Sequence, residues 1–153
     1  MSSNNLSGTL APDFGRYSVL VEFQVADNKL EGKLLEHLCD NGRLEAVVAY
    51  NNNITGELPK SLGNCNGLKI VTVYNNRLSG DIPSGLWTSL TLRVLILSDN
   101  LFTDELPQRV ARNLSRLEIN NNFFSGTIPA GVSSWRNLVV FEASNNLFTG
   151  TIS

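Results

Sequence analysis

The sequence predicts an α/β solenoid in which every coil adds one strand to a parallel sheet on a concave face, and three observations carry that expectation. One spacing of residue types, Leu-x-x-Val-x-Val-x-x-Asn-x-Leu-x-Gly-x-Ile-Pro, is written out over residues 68–83 and returns along the whole chain. An asparagine closes each copy, at Asn4, Asn28, Asn52, Asn76, Asn100, Asn122 and Asn146, with intervals of 24, 24, 24, 24, 22 and 24 residues. Apolar residues occupy the same four places in each full copy, as in Leu44, Val47, Ala49 and Ile54, or Leu92, Leu95, Leu97 and Phe102. A period of about 20–29 residues with Asn after a Leu-x-x-Leu-x-Leu strand is the signature of leucine-rich repeats, which stack into a right-handed superhelix or horseshoe and bury their core only against neighbouring coils. Residues 1–153 therefore read as one repeat domain of about six to seven coils.

Within each copy the strand residues alternate, one set pointing into the coil and the other out of the concave face. The closing Asn sits where the chain leaves the strand, and an inward amide there can serve backbone groups of the turn that would otherwise be unpaired. Next comes a Gly and an apolar-Pro pair, as in Ile54-Thr55-Gly56-Glu57-Leu58-Pro59: Gly admits a backbone closed to other residues, and Pro ends regular pairing. The convex segments that follow are short and Gly-rich, which favours 3₁₀ or single helical turns over long helices. Two copies depart from the pattern. Leu34-Leu35 replaces the apolar-Pro pair, and Asp104 replaces the Gly in the copy that is two residues shorter. A shorter convex arc is expected to tighten the curvature there. Both ends, Met1 and Ile152-Ser153, fall within a repeat with no polar cap, so the chain is expected to be a fragment of a longer array.

With 12 basic and 14 acidic residues and no basic run, the chain lacks the electrostatic footprint of a nucleic-acid or anionic-membrane binder. No run of eighteen apolar residues is present, so no membrane insertion of this segment is expected, and the start lacks the layout of a secretory signal. Three sequons, at Asn5, Asn53 and Asn113, are candidate glycosylation sites in an exported protein. Cys39 and Cys65 fall on the convex sides of consecutive coils, two positions out of register. Equivalent points there lie about 5 Å apart, within reach of a disulfide, and the sequence leaves open whether the two form a bridge or remain buried thiols. His37 has no companion at metal-ligand spacing and reads as a solvated convex residue. Neither a nucleophile elbow nor a phosphate loop is present, so no enzyme activity, cofactor or metal is expected.

The outward strand positions are the candidate functional surface. In the central copies they place Val48, Tyr50, Ile70, Thr72, Tyr74, Val94 and Ile96 together, with Arg116, Glu118 and Glu142 further along. Exposed aromatic and apolar residues gathered on one face mark a contact surface, and Tyr pairs a large apolar body with a polar tip; the alternative is that they are β-favouring residues tolerated on a shielded face. The Asp and Asn residues just before each closing Asn, from Asp27 to Asn145, recur in every copy and read as turn chemistry. Seven strands would give a concave track of about 29 Å, enough for roughly nine extended residues. An extended peptide suits such a track.

The Gly-x-Ile-Pro endings and the phrases LEAVVAYNNNITGELPKSLGNC, ARNLSRLEINNNFFSGTIP and FEASNNLFTG resemble plant leucine-rich-repeat receptor-like kinases, over the whole chain. The phrase NLSRLEI after the short repeat resembles the HAESA-like group in particular. The resemblance implies a non-catalytic stretch of a plasma-membrane receptor ectodomain that binds a secreted peptide on its concave face and signals with a SERK-type co-receptor. It also implies a kinase domain, absent from this chain, in the parent protein. Many members of the group hold a peptide's C-terminal carboxylate with Arg-x-Arg on a concave strand, and the matching positions here are Ile70-Val71-Thr72. That departure points to the branch reading the cysteine-containing CTNIP/SCREW peptides, which lacks the pair. Two alternatives stay open: an inhibitor of cell-wall hydrolases resembling polygalacturonase-inhibiting proteins, and a truncated gene product with no ligand of its own.

Overall fold

The computed structural model describes residues 1–151, apart from the side chains of residues 133 and 134, and the Ile152-Ser153 ending lies outside them. Eleven strands follow one another as β1 (Ser7–Thr9), β2 (Glu22–Gln24), β3 (Lys29–Lys33), β4 (Ala46–Val48), β5 (Asn53–Gly56), β6 (Ile70–Thr72), β7 (Arg77–Gly80), β8 (Val94–Ile96), β9 (Leu101–Phe102), β10 (Arg116–Glu118) and β11 (Val140–Glu142). They form two parallel sheets. The concave sheet runs β2, β4, β6, β8, β10, β11, and a second sheet on the adjoining flank runs β1, β3, β5, β7, β9. The convex side carries single turns: 3₁₀ at Lys60–Asn64 and Ala130–Ser134, and one α turn, α1 (Ser84–Trp87). The architecture is the leucine-rich-repeat solenoid that the periodicity predicts.

The inward positions make one continuous core. Leu44, Val47 and Ala49, then Leu68, Val71 and Val73, then Leu92, Leu95 and Leu97, then Leu114, Leu117 and Ile119 are all buried. Each coil's set packs on the sets before and after it, so burial is complete in the middle coils. In the last coil Leu138, Phe141, Ala143 and Phe148 are only partly buried, because no further coil covers them among the described residues.

The flank sheet was not expected from the sequence, which reads Ser/Thr-Gly-x-Ile as a turn. In fact each glycine sits in or beside a strand with positive φ, +78° at Gly56 and +76° at Gly80. Such a residue lets a short strand bend while its neighbours keep the parallel ladder, and an L side chain there is strained. A second difference lies at the beginning. Among the described residues the first coil contributes β1 to the flank but no strand to the concave face, which has six strands rather than seven. The concave track is then about 24 Å, matching roughly seven extended residues.

Asp104, which takes the glycine's place, adopts no positive φ and instead serves the preceding coil. Its Oδ2 accepts the Ile82 N–H at 3.1 Å and the Trp87 indole N–H at 3.3 Å. Cys39 and Cys65 are joined in a disulfide across consecutive coils, with Cα atoms 5.9 Å apart. On the convex side His37 Nδ1 lies 2.8 Å from Asp40, half-exposed, and no group of metal-ligating side chains occurs among the described residues.

Candidate peptide-binding face

The concave sheet holds its strands in strict register, so outward side chains line up in columns across the coils. Val48, Thr72, Ile96, Glu118 and Glu142 form one column, and Ile70, Val94 and Arg116 form a second beside it. Tyr50 and Tyr74 stand one alternation further along, their rings parallel within 5° and their centroids 4.5 Å apart. All ten residues singled out from the sequence therefore share one face. Their exposure differs. Ile70, Arg116 and Glu142 are exposed, while Val48, Tyr50, Thr72, Tyr74, Val94, Ile96 and Glu118 are half-buried by their column neighbours. Ala46 also points outward but is buried, since a methyl group is shorter than the side chains around it.

The face is edged by two rows of amides. The inner row is the closing Asn of each coil, buried from Asn28 to Asn122 and exposed at Asn4. Asn52 is typical: its Oδ1 accepts the Leu30 N–H of the preceding coil at 3.0 Å, and its Nδ2 donates to Val25 of that coil at 3.0 Å and to Ala49 of its own at 3.2 Å. The outer row comprises Asp27, Asn51, Asn75, Asp99, Asn121 and Asn145, every one with φ between 55° and 57°. Asn and Asp enter that left-handed region more readily than other residues with a side chain, which explains the column in backbone terms.

The outer row is also a hydrogen-bonded ladder with a direction, which the sequence did not reveal. Asn75 donates to Asn51 at 2.9 Å, and Asn51 donates to Asp27 at 2.6 Å. In the second segment Asn145 donates to Asn121 at 2.8 Å and Asn121 to Asp99 at 2.7 Å. A carboxylate can only accept, so each run ends on an aspartate. The ladder therefore breaks between Asn75 and Asp99.

Charge on the face is one-sided. Among the described residues Arg116 is its sole cation at an outward strand position, and it is bound on the same strand by Glu118, with Nη2 to Oε1 2.8 Å and Nε to Oε1 3.1 Å. The hydrogen bond and the charge of Glu118 hold the Arg116 guanidinium above its ordinary value. Glu22, Asp27, Asp99 and Glu142 have no cationic partner among the described residues. Tyr74 is pushed above the usual phenol value by burial first, then by Tyr50, Asp27 and Glu118. The hydroxyls of Thr72, two residues before Tyr74, and of Ser98, the equivalent of Tyr74 in the next coil, are buried with no hydrogen-bond partner among the described residues.

Leucine Rich Repeat segments are matched at residues 43–65 and 113–135. Among curated proteins none matches the sequence. Among solved structures, the ectodomain of the Arabidopsis receptor kinase HAESA, in complex with the peptide hormone IDA, is 37% identical with a TM-score of 0.91 over 95% of this chain and 25% of that one. The plant peptide hormone receptor RGFR1, in complex with RGF2, is 30% identical with a TM-score of 0.93 over 99% of this chain and 24% of that one. Pollen Receptor Kinase 3 is 30% identical with a TM-score of 0.72, over 84% of this chain and 64% of that one. The chain spans about a quarter of the length of the HAESA and RGFR1 chains. It is a leucine-rich-repeat solenoid similar to a stretch of plant receptor-kinase ectodomains.

Proposed function

We propose that this chain is a single repeat domain serving as a non-catalytic, peptide-binding segment of a plant cell-surface receptor-like kinase. The observation that carries this reading is the concave sheet itself, a row of aligned aromatic and apolar side chains at Tyr50, Tyr74, Ile70, Val94 and Ile96 that the rest of the chain leaves open. Aromatic and apolar groups on a rigid surface supply contact area at little cost in conformational freedom. Similarity to HAESA, whose structure is also known with IDA and the co-receptor SERK1, supports a secreted peptide as ligand and a SERK-type partner for this chain. On this reading the face looks outward from the plasma membrane. No helix among the described residues is long and apolar enough to cross a membrane, so an anchor would belong to the parent protein, as would a kinase.

The finer assignment is the HAESA-like branch that reads cysteine-containing CTNIP/SCREW peptides. It is supported by Ile70 and Thr72 standing where an arginine pair would hold a peptide carboxylate, and by Arg116 being already bound to Glu118. The sequon residues Asn5, Asn53 and Asn113 are all exposed and lie away from the concave strands, so glycans there would leave the face open. Leu101, Phe123 and Leu147 follow one another on the flank as exposed apolar residues, which suits a co-receptor contact outside the peptide track.

Calorimetric titration of the chain with a synthetic CTNIP-type peptide and with IDA tests the proposal. Saturable binding of the first, lost in the Tyr50→Ala/Tyr74→Ala variant, is the expected result. Binding that the double variant retains would remove the concave face from the reading, and binding of neither peptide would remove the branch assignment.

A further inference from the structure

The concave face is acidic, and its acidity is arranged rather than scattered. Asp27, Asp99 and Glu142 each have their carboxylate held by a neutral amide, from Asn51 at 2.6 Å, Asn121 at 2.7 Å and Asn120 at 2.7 Å. None of the three forms an ion pair among the described residues, although Glu142 lies within electrostatic reach of Arg116. A carboxylate aimed by an amide keeps its full charge and its free oxygen lone pairs, so it is preorganised for an ammonium or guanidinium. The single cation at an outward strand position, Arg116, is consumed by Glu118.

A second, independent observation lies between these carboxylates. Ser98 is only 8% exposed, and its hydroxyl, like that of Thr72, has no partner among the described residues. Thr72 lies two residues before Tyr74 and Ser98 is the equivalent of Tyr74 in the next coil, so both belong to the outward positions that a backbone laid across the strands would cross. A buried polar group without a partner is costly, and a ligand's N–H or C=O supplies the missing bond.

We infer that the ligand of this face is a basic, extended peptide with an apolar middle, its backbone crossing at Tyr74 and its cationic side chains reaching Asp27, Asp99 and Glu142. This rests on the peptide-binding reading and adds the chemistry of the guest. Asp27 and Asp99 are three strand steps apart, about 14 Å, and Glu142 is two steps beyond Asp99 and set back by three residues along its strand, again about 14 Å away. At about 3.3 Å per extended residue, the cationic residues of the guest are spaced by about four positions in each interval, the second running obliquely across the face. The intervening residues lie on Tyr50, Tyr74, Ile70 and Ile96. An acidic or C-terminally anchored peptide is disfavoured, because its carboxylate would face unpaired carboxylates with no free arginine at the strand positions.

The test is to pan a phage-displayed library of random linear decapeptides on the purified chain, with counterselection on Tyr50→Ala/Tyr74→Ala, and then to measure synthetic copies of the enriched sequences at low and high salt. The expected sequences carry net positive charge with the spacing given above. The Asp99→Asn/Glu142→Gln variant, which keeps the hydrogen-bonding shape of both side chains, should bind them about tenfold more weakly and with a flatter salt dependence. If the tyrosine-dependent peptides are neutral or acidic, or if the charge variant binds within about twofold of the parent chain, the inference of a basic guest is overturned while the peptide-binding reading stands. If no tyrosine-dependent peptide is enriched, both are overturned.

Discussion

The Oδ1 of Asn76 accepts the backbone N–H of Ile54 from the preceding coil at 3.0 Å, while its Nδ2 donates back to Ala49 of that coil at 3.0 Å and to Val73 of its own at 3.0 Å. One side chain therefore closes backbone groups in two coils, from a position only 9% exposed.

Asn76→Ala leaves the Ile54 N–H without a partner in the core, at about 1–3 kcal/mol, while the Ala49 and Val73 carbonyls keep the amides of Asn52 and Asn100. An overall loss of about 2 kcal/mol is expected in urea unfolding followed by circular dichroism. Asn76→Asp should be no milder, because a carboxylate still accepts from Ile54 but turns an acceptor against carbonyl oxygens. Asn146→Ala, at the partly buried end of the row, should cost less than Asn76→Ala. Equal losses at the two positions would mean that the inner amides matter for the turn alone and not for joining coils.

The disulfide Cys39–Cys65 spans 26 residues and ties one convex arc to the next. In the chain-entropy account a loop of that size stabilises the fold by about 3.5 kcal/mol. Reduction, or the Cys39→Ala/Cys65→Ala variant, should lower the urea midpoint accordingly while leaving the concave columns in place. An unchanged midpoint would show that the unfolded chain is already confined without the bridge.

On the convex side α1 rests against the preceding 3₁₀ turn through two glycines. A Cβ on Gly85 would overlap the Gly63 carbonyl and lie 2.7 Å from the Gly63 Cα. Gly85→Ala must push the arcs apart and is expected to cost about 2 kcal/mol, in the range of overpacked cores. Gly67→Ala serves as the control, since the nearest atom to its Cβ would be 3.8 Å away. Thermal unfolding of the two variants side by side checks the difference.

How much of this was legible in the sequence depends on whether a residue's partner lies in its own copy or in the next. The inward column that includes Leu68, Val71 and Val73 follows from alternation within one copy, and burial matches it. Asn76 was legible for the same reason, because its type and place recur at a fixed distance from the strand. The flank sheet was hidden: β7 contains Gly80, which by itself signals a turn, and only the register of Thr55 with Arg77 and Gly56 with Leu78 makes it a strand. The outer amide ladder was hidden too. Asn51 and Asp27 are 24 residues apart, and their 2.6 Å bond depends on the direction each side chain takes. So is the fate of Arg116, readable as a free cation until Glu118 two residues on is seen to occupy it.

The stacked tyrosines give a last prediction. Burial raises the Tyr74 phenol above its ordinary value of 10.0, and the negative charges of Asp27 and Glu118 act in the same direction. In the unfolded chain that phenol ionises near its ordinary value; in the folded chain it holds its proton to higher pH. Between the two values the unfolded state has lost the proton and the folded state has not, so rising pH favours unfolding. The contribution of Tyr74 to stability is thus fully present below about pH 10 and lost as pH climbs through the folded value. Urea unfolding measured from pH 8 upward should show this decline, and Tyr74→Phe should flatten it, because a ring without the hydroxyl has no proton to release. In parallel, absorbance titration at about 295 nm should lose a tyrosinate step lying above the ordinary phenol value in the same variant. A decline of the same slope in parent and variant would assign the alkaline sensitivity to other groups.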